Sequence, residues 1–270
     1  MSKIAVVIPV YKTPDECELM SLRQCCKVLG RYDVCLVAPV DLDTQSFHTI
    51  CSSYGVFLKE ECFSSEFFKN VQGYNRLLLS EDFYLRFREY DYMLIYQLDA
   101  YVFEDKLEEW CSLGYDYVGA PIIGRYEENE YHPSMPMRVG NGGFSLRRIR
   151  KCLEFFSSTK NVFSSNEIIA RIRLWKKPYT RVFVWLLMLL GWRNKPQSVA
   201  DHWRYNEDDF WSGYLDGSNY ELIKPSIGEA FGFAFEKYPS EIFKKTKKLP
   251  FGCHAWRKYE YEEFWTEYIK

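Results

Sequence analysis

Three stretches of the sequence carry side chains whose types and positions could perform chemistry. The apolar run at 91–96 leads into QLDAYVF, which places a single carboxylate, Asp99, where a buried strand should open to solvent. The stretch YNEDDFW contributes three consecutive acids at 207–209, and His254 lies in LPFGCHAW. A carboxylate together with an imidazole can bind a hard cation such as Mn²⁺ and leave positions open for a diphosphate. The neighbouring acids could then serve as a general base.

Each of these residues also has a purely structural interpretation. An aspartate after a strand often caps a helix or forms a turn, and acids favour the first turn of a helix. A lone histidine beside cysteine, alanine and tryptophan is more often packed in a core. Here large aromatic residues and glycines surround each polar residue, which favours a functional site over a solvated surface.

Composition limits the classes of protein that fit. The chain has 270 residues, enough for one large domain, and its net charge of −2 does not favour nucleic-acid binding. The nine cysteines include no C-x-x-C pair, so reduced thiols in a cytoplasmic protein are expected. The start of the sequence does not resemble a secretory signal peptide.

Alternating elements predict the fold that positions the three stretches. Continuous apolar runs at 4–11, 32–39 and 92–99 are typical of strands buried on both faces, and helical segments separate them. This pattern predicts an α/β domain with a mainly parallel central sheet, in which ligands bind beyond the carboxyl ends of the strands. We also expect Thr13 to cap the first helix, a helical region over 64–90 with a break near Gly73, and a strand-like segment over 221–239.

Phosphate-binding glycine motifs are absent from the sequence. No G-x-G-x-x-G follows a strand, and no G-x-x-x-x-G-K-[ST] occurs. If phosphates bind in the first half, a metal ion on Asp99 could hold them.

The order LDAYVF, VGAPI, VGNGGFSLR, NEDDFW and LPFGCHAW resembles the GT-A class of nucleotide-sugar glycosyltransferases, and in particular a bacterial family of formerly unknown function grouped with that class. The resemblance implies one GT-A-like domain over 1–270, with a nucleotide-binding half (1–125) and an acceptor-side half (126–270). LDAYVF departs from the Asp-x-Asp motif of the class, because a tyrosine takes the place of the second aspartate.

The resemblance also implies roles for individual residues. Asp99 and His254 would bind Mn²⁺ or Mg²⁺, and a carboxylate of the acid motif would be the base, with Asp208 as first choice before Asp209 and Glu207. Trp211, and also Trp203 or Trp256, could stack on a sugar ring. The residues expected at the nucleotide-sugar donor are Pro9, Tyr11, Thr13, Lys69, Asn75, Arg76, Gln97, Asp99, Ala100, Tyr101, Asn141, Gly142 and Gly143.

A helical insertion near 164–199 has an unusual composition. It has seven basic residues and no acid between 168 and 199: Arg171, Arg173, Lys176, Lys177, Arg181, Arg193 and Lys195. The apolar run at 182–192 would form about 16 Å of helix, too short to cross a hydrocarbon core of about 30 Å. A basic, Trp-flanked apolar helix is typical of interfacial anchoring, so 168–195 is predicted to contact a membrane surface. A buried core helix or a dimer helix is the alternative.

These observations predict a metal-assisted glycosyltransferase of the hexosyltransferase type. It would move a sugar, with inversion, from a nucleotide-sugar such as a UDP-sugar to a glycan or lipid-linked glycan in bacterial surface polysaccharide synthesis. The expected location is the cytoplasm, with peripheral contact to the inner face of the cytoplasmic membrane. The alternatives are a nucleotidyltransferase acting on sugar phosphates and a non-catalytic carbohydrate-binding protein.

Overall fold

The computed structural model describes residues 2–123, 138–173 and 178–270. The predicted boundary between the two halves, at 125/126, and the basic residues Lys176 and Lys177 lie outside these residues. The strands within them are β1 (Ile4–Pro9), β2 (Asp33–Pro39), β3 (Leu58–Phe63), β4 (Tyr92–Tyr96), β5 (Tyr101–Val102), β6 (Tyr117–Gly119), β7 (Pro121–Ile122), β8 (Arg138–Val139), β9 (Phe144–Arg148), β10 (Ala234–Phe235) and β11 (Gly252–Cys253).

Helices cover both faces of the strands. The α-helices of the described residues are α1 (Glu16–Leu29), α2 (Gln45–Ser53), α3 (Val71–Leu78), α4 (Glu81–Arg86), α5 (Leu107–Ser112), α6 (Ile149–Phe156), α7 (Ser165–Ile172), α8 (Pro178–Leu189), α9 (Pro196–Asp201), α10 (Glu207–Asp209), α11 (Ile227–Phe233) and α12 (Pro239–Thr246). A 3₁₀ helix (Ser65–Phe68) precedes α3, and a π-helix (Phe210–Tyr214) continues α10.

The central sheet has six strands in the order β3-β2-β1-β4-β9-β6. Strands β1 to β4 pair in parallel, as their continuous apolar sequences predict, and β9 lies antiparallel between β4 and β6. Tyr96, the last residue of β4, therefore pairs with Phe144, the first residue of β9. The loop that precedes β9 thus lies at the same edge of the sheet as the carboxyl ends of β1 and β4.

Two large apolar clusters fill the two sides of the central sheet, and a third packs beneath a small sheet of β10, β11 and β5. The third cluster contains Trp256 and Trp265, both fully buried. In the small sheet β11 runs antiparallel to β5. This pairing anchors the C-terminal segment next to the end of β4.

Local hydrogen bonds correct three of the sequence expectations. The cap of α1 is Asp15 rather than Thr13, because its side chain accepts from the Glu18 backbone N–H while the Glu18 carboxylate accepts from the Asp15 N–H. The region 221–239 is not one strand: Ser226 and Glu229 form the same reciprocal capping box and begin α11, and only β10 (Ala234–Phe235) is a strand. The region 64–90 is broken twice, ahead of the N-caps Asn70 and Ser80, and not at Gly73 itself.

Gly73 lies inside α3, where it permits close packing of two helices rather than a break. A Cβ added there would lie 2.8 Å from the backbone carbonyl oxygens of Glu66 and Phe67 in the preceding 3₁₀ helix. We therefore expect Gly73→Ala to lower the free energy of unfolding by about 1–3 kcal/mol, as measured by chemical denaturation. Gly228→Ala in α11 is the matched control, because a Cβ there meets no atom closer than 4.0 Å. That variant should keep or slightly raise stability, and equal losses in both would contradict the packing explanation.

Candidate active site

A cavity of about 630 Å³ opens at the carboxyl edge of the central sheet. The segments that follow β1 and β4, the loop before β9, the start of α3 and the acid motif all contribute to its wall. The predicted site residues that line it are Pro9, Tyr11, Lys69, Asn75, Gln97, Asp99, Asn141, Gly142, Gly143, Glu207, Asp208 and His254. Residues far apart in sequence thus meet where the parallel-sheet rule places a ligand.

Strand pairing brings His254 to Asp99. β11 ends at Cys253 and is held between β10 and β5, and the His254 backbone N–H donates to the carbonyl of Phe235 at 2.9 Å. The Trp256 N–H in turn donates to the carbonyl of Asp99 at 3.4 Å. The imidazole therefore has a fixed position next to the loop that follows β4.

Two oxygen atoms and one nitrogen converge on the cavity. The Nε2 atom of His254 lies 3.3 Å from Asp99 Oδ1 and 3.3 Å from the amide oxygen of Gln97. The Gln97 amide nitrogen donates to the Tyr74 hydroxyl at 3.1 Å, which orients its oxygen towards the imidazole. On the far side of the ring, Nδ1 of His254 lies 3.4 Å from a carboxylate oxygen of Glu236.

Charge on the two flanking carboxylates stabilises the protonated imidazole. Burial lowers the pKa of His254, but the attraction of Asp99 and Glu236 outweighs it and raises the pKa to about 10. For Asp99, burial acts to raise the pKa, and the nearby His254 reverses the direction, so the pKa is lower than usual. Without a cation the two side chains therefore form an ion pair at neutral pH, and a cation that bound Nε2 would displace the proton from that nitrogen.

The donor atoms fit the divalent cation that the fold class implies. Carboxylate and amide oxygens with one imidazole suit Mn²⁺, and a carboxylate on the second ring nitrogen is the usual support of a metal-binding histidine. Asp99 and His254 would hold the ion, with Gln97 adjacent. Within the described residues no group of three or more His, Cys, Asp or Glu side chains is placed to bind a metal, so the remaining ligands would have to include groups of other kinds.

Side chains of the site pack closely on the glycines before β9. A Cβ on Gly143 would lie 2.0 Å from Nε2 of His254, and a Cβ on Gly142 would lie 2.5 Å from a carboxylate oxygen of Glu207. The close neighbours of these backbones are thus side chains of the protein itself. Both glycines still line the cavity, but they are required by the packing of the site residues.

The acid motif is held by a buried ion pair. Arg147 of β9 donates to both carboxylate oxygens of Glu207, at 2.8 and 2.7 Å, and its side chain is fully buried. It also donates to the Tyr84 hydroxyl at 3.3 Å and to the Ser145 hydroxyl at 3.1 Å. Because a buried guanidinium holds both oxygens of Glu207, this residue is placed to position its neighbours rather than to accept a proton.

Asp208 and Asp209 differ in their position relative to the cavity and in their partners. Asp208 lines the cavity, where its Oδ2 accepts the Gly142 N–H at 3.1 Å. Burial and the negative charge of Glu207 raise the pKa of Asp208 to about 7, although the Gly142 N–H and two arginines act against them. Asp209 does not line the cavity and forms an ion pair with Arg138. The geometry therefore favours Asp208 as the proton acceptor among the three acids.

Several predicted donor contacts lie away from the cavity. Thr13 and Arg76 are exposed outside its lining, and Ala100 and Tyr101 are buried. The Tyr101 ring packs on Phe103 in the third apolar cluster. Because β5 turns these two residues inward, neither can reach a ligand beside Asp99.

The tryptophans expected to stack on a sugar are core residues. Trp211 is 1% exposed and packs against Tyr84, Phe155 and Phe156, and Trp256 is fully buried. Trp203 is half-buried, and its indole N–H donates to the Asn206 carbonyl at 2.7 Å. For Trp211 and Trp256 the expectation of stacking on a sugar is therefore wrong.

Sequence reasoning missed two residues that organise the site. Arg147 lies in a strand buried on both faces, and a charged residue there signals a buried partner, which is Glu207. Glu236 follows an aromatic stretch that carries no comparable signal. Lys12 and Tyr74 also line the cavity.

Comparison with solved structures identifies the fold class. The apo-form glycosyltransferase GlyE from Streptococcus pneumoniae TIGR4 matches 99% of this chain and 60% of its own, with 14% identity and a TM-score of 0.51. An active-site mutant of LgtC matches 93% of this chain and 86% of its own, with 12% identity and a TM-score of 0.50. S. aureus TarS matches 55% of this chain and 29% of its own at a TM-score of 0.37. The fold is that of the GT-A glycosyltransferases, and the chain spans less than two thirds of the length of GlyE and TarS.

The sequence comparison identifies the family. The model of the family described as "Protein of unknown function (DUF5672)" matches residues 57–254, and the chain belongs to this family. The matched range includes Asp99, the acid motif and His254, but not β1. No protein of curated function matches the chain.

Loss of one member of the buried ion pair should destabilise the protein strongly. Glu207→Gln leaves the Arg147 charge buried without its partner, which should lower the free energy of unfolding by about 3–5 kcal/mol in chemical denaturation. Glu154→Gln, which removes an exposed partner of Arg150 on α6, should change it by less than about 1 kcal/mol. The double variant Arg147→Met/Glu207→Leu should regain most of the stability. A Glu207→Gln variant as stable as the Glu154 control would show that the pair does not hold the motif.

Proposed function

We propose that this protein is a metal-assisted, inverting glycosyltransferase that transfers a sugar from a nucleotide-sugar, most simply a UDP-sugar, to a hydroxyl of a glycan or lipid-linked glycan. One observation carries the proposal: Asp99 and His254, whose carboxylate and imidazole lie 3.3 Å apart, and Asp208, a carboxylate of raised pKa, line the same cavity. The GT-A fold supports glycosyl transfer as the reaction class. The remaining details, including a role in bacterial surface polysaccharide synthesis, are part of the proposal.

The residues divide the work of a single displacement. The oxygen of the acceptor hydroxyl forms a bond to the anomeric carbon, the bond from that carbon to the diphosphate oxygen breaks, and the nucleoside diphosphate leaves with the electron pair. Asp208 takes the hydroxyl proton. A Mn²⁺ or Mg²⁺ ion held by Asp99 and His254 would neutralise charge on the leaving diphosphate. Lys12 and Lys69 also line the cavity, where Lys12 is paired with Glu18 and Lys69 with Glu66, so each would have to exchange its acid for a phosphate to contribute.

The proposed acceptor implies a cellular location. Lipid-linked glycans are presented at a membrane, so we place the protein in the cytoplasm with contact to the inner face of the cytoplasmic membrane through residues 168–195. No helix of the described residues is long and apolar enough to cross a membrane.

Release of nucleoside diphosphate tests the proposed reaction. We expect UDP release from one member of a nucleotide-sugar panel in the presence of Mn²⁺ or Mg²⁺, loss of release in EDTA, and loss by at least about a hundredfold in Asp99→Asn. Asp82→Asn, at an exposed aspartate of α4, is the control. NMR of the product should show inverted anomeric configuration. Pyrophosphate as product would instead indicate a nucleotidyltransferase, and sugar binding without turnover of any donor would indicate a binding protein.

The raised pKa of Asp208 predicts the pH dependence of turnover. A base must be unprotonated, and the pKa of Asp208 is about 7, so the turnover rate should rise roughly tenfold per pH unit below that value and level off above it. Asp208→Asn should lower turnover by about 10²- to 10⁴-fold and remove this dependence. Asp209→Asn, a matched change beside it, should keep the dependence because Asp209 lies outside the cavity. An unchanged pH profile in Asp208→Asn would rule this residue out as the base.

A further inference from the structure

Helix α8 buries only one of its sides. Val184 is buried, and Trp185, Met188 and Leu189 pack partly buried against the same apolar cluster that contains α6. The Trp185 indole N–H donates to the Ser165 hydroxyl of α7 at 3.0 Å, and the Asn161 amide donates to the Leu189 carbonyl at 2.9 Å. These contacts hold the helix on the domain. They explain the four apolar residues on its inner side but not those on its outer side.

The other side of α8 presents large apolar side chains to solvent. The exposed fractions of Val182, Phe183, Leu186 and Leu190 are 61%, 63%, 48% and 84%. Their spacing, i, i+1, i+4 and i+8, places them within about 100° on one face of a helix. Trp192, 45% exposed, follows directly. We call these five residues the outer stripe.

The stretch of sequence that contains the outer stripe is basic. Residues 168–200 contain no aspartate or glutamate. Arg173 and Arg193 are exposed, and the Arg193 guanidinium lies 5.0 Å from the centre of the Trp192 ring. Arg171 and Lys195, by contrast, bond within the domain, to Glu167 and to the Thr159 carbonyl. The charge available to a partner is thus cationic.

An anionic membrane surface fits these features better than a second copy of the chain. A helix of 12 residues is about 18 Å long and lies along a surface instead of crossing it. Exposed leucine, phenylalanine and tryptophan beside arginine are the side chains that enter the region of lipid headgroups. A second copy would bring the same cationic rim against itself.

We propose that the outer stripe docks the protein on anionic lipid. The chain continues from this surface through α9 to the acid motif, where the Trp203 indole contacts the Asn206 carbonyl. The biological role of this docking rests on the proposed function, in which the acceptor is held at a membrane. The docking itself requires neither donor nor acceptor.

Flotation with lipid vesicles tests the docking. At low salt the protein should float with vesicles of phosphatidylcholine and phosphatidylglycerol, and less with phosphatidylcholine alone or at high salt. Phe183→Ser/Leu190→Ser should weaken binding to the anionic vesicles at least about tenfold, and Arg193→Glu should reduce its salt dependence. Phe57→Ser is the matched control, because Phe57 is 81% exposed on another part of the domain.

Two results would overturn the docking proposal. One is a wild type that does not float with either kind of vesicle, and the other is a stripe variant that binds as the wild type does. Light scattering tests the alternative, in which a second copy of the chain covers the outer stripe. A wild-type dimer that the stripe substitutions dissociate would support that alternative and count against lipid docking. Donor binding measured by calorimetry should be the same in the stripe variant and the wild type. A failure of donor turnover with intact vesicle binding would therefore count against the proposed reaction alone.

Discussion

The site depends on the ion pair between Arg147 and Glu207. Two buried charges are unfavourable unless each hydrogen-bonding position is occupied, and here the guanidinium meets both oxygens of the carboxylate, the Tyr84 hydroxyl and the Ser145 hydroxyl. The pair joins β9 to a helix that begins 60 residues later in the chain. Because β9 also carries the glycine loop at its start, one interaction fixes both the floor of the cavity and the acid motif above it.

The same ion pair helps to give three consecutive acids different partners and different roles. Glu207 is neutralised by Arg147 and Asp209 by Arg138, whereas Asp208 lines the cavity and its two oxygens accept backbone N–H groups, from Gly142 and Asp209. The charge of Glu207 contributes to the raised pKa of Asp208. A motif that is uniformly acidic in sequence thus contains one carboxyl group whose proton can exchange near neutral pH and two whose charges serve structure.

The sequence allowed the central sheet and the edge that bears the cavity to be predicted, because buried parallel strands have continuous apolar runs and their carboxyl ends share an edge. The strand predicted over 221–239 is wrong for Ile227–Phe233, where a capping box at Ser226 begins a helix despite the strand-forming aromatic residues, and correct only for Ala234–Phe235. Contacts between residues far apart in the sequence could not be predicted for a different reason. Nothing local indicates that Gly143 faces His254 or that Trp211 points into the core, since each depends on how β9, β11 and α10 come together.

The position of Gln97 explains how the site can form although Tyr101 takes the place of the second aspartate of the Asp-x-Asp motif. Tyr101 is committed to the apolar cluster beneath β5, and the pairing of β5 with β11 is what brings His254 to the site. The polar atoms that face the imidazole come from Gln97 and Asp99, which keep a spacing of two residues but lie before position 101. An amide oxygen there coordinates a hard cation without adding a negative charge. The site would therefore hold a divalent ion more weakly than two carboxylates do, because fewer negative charges would face the ion.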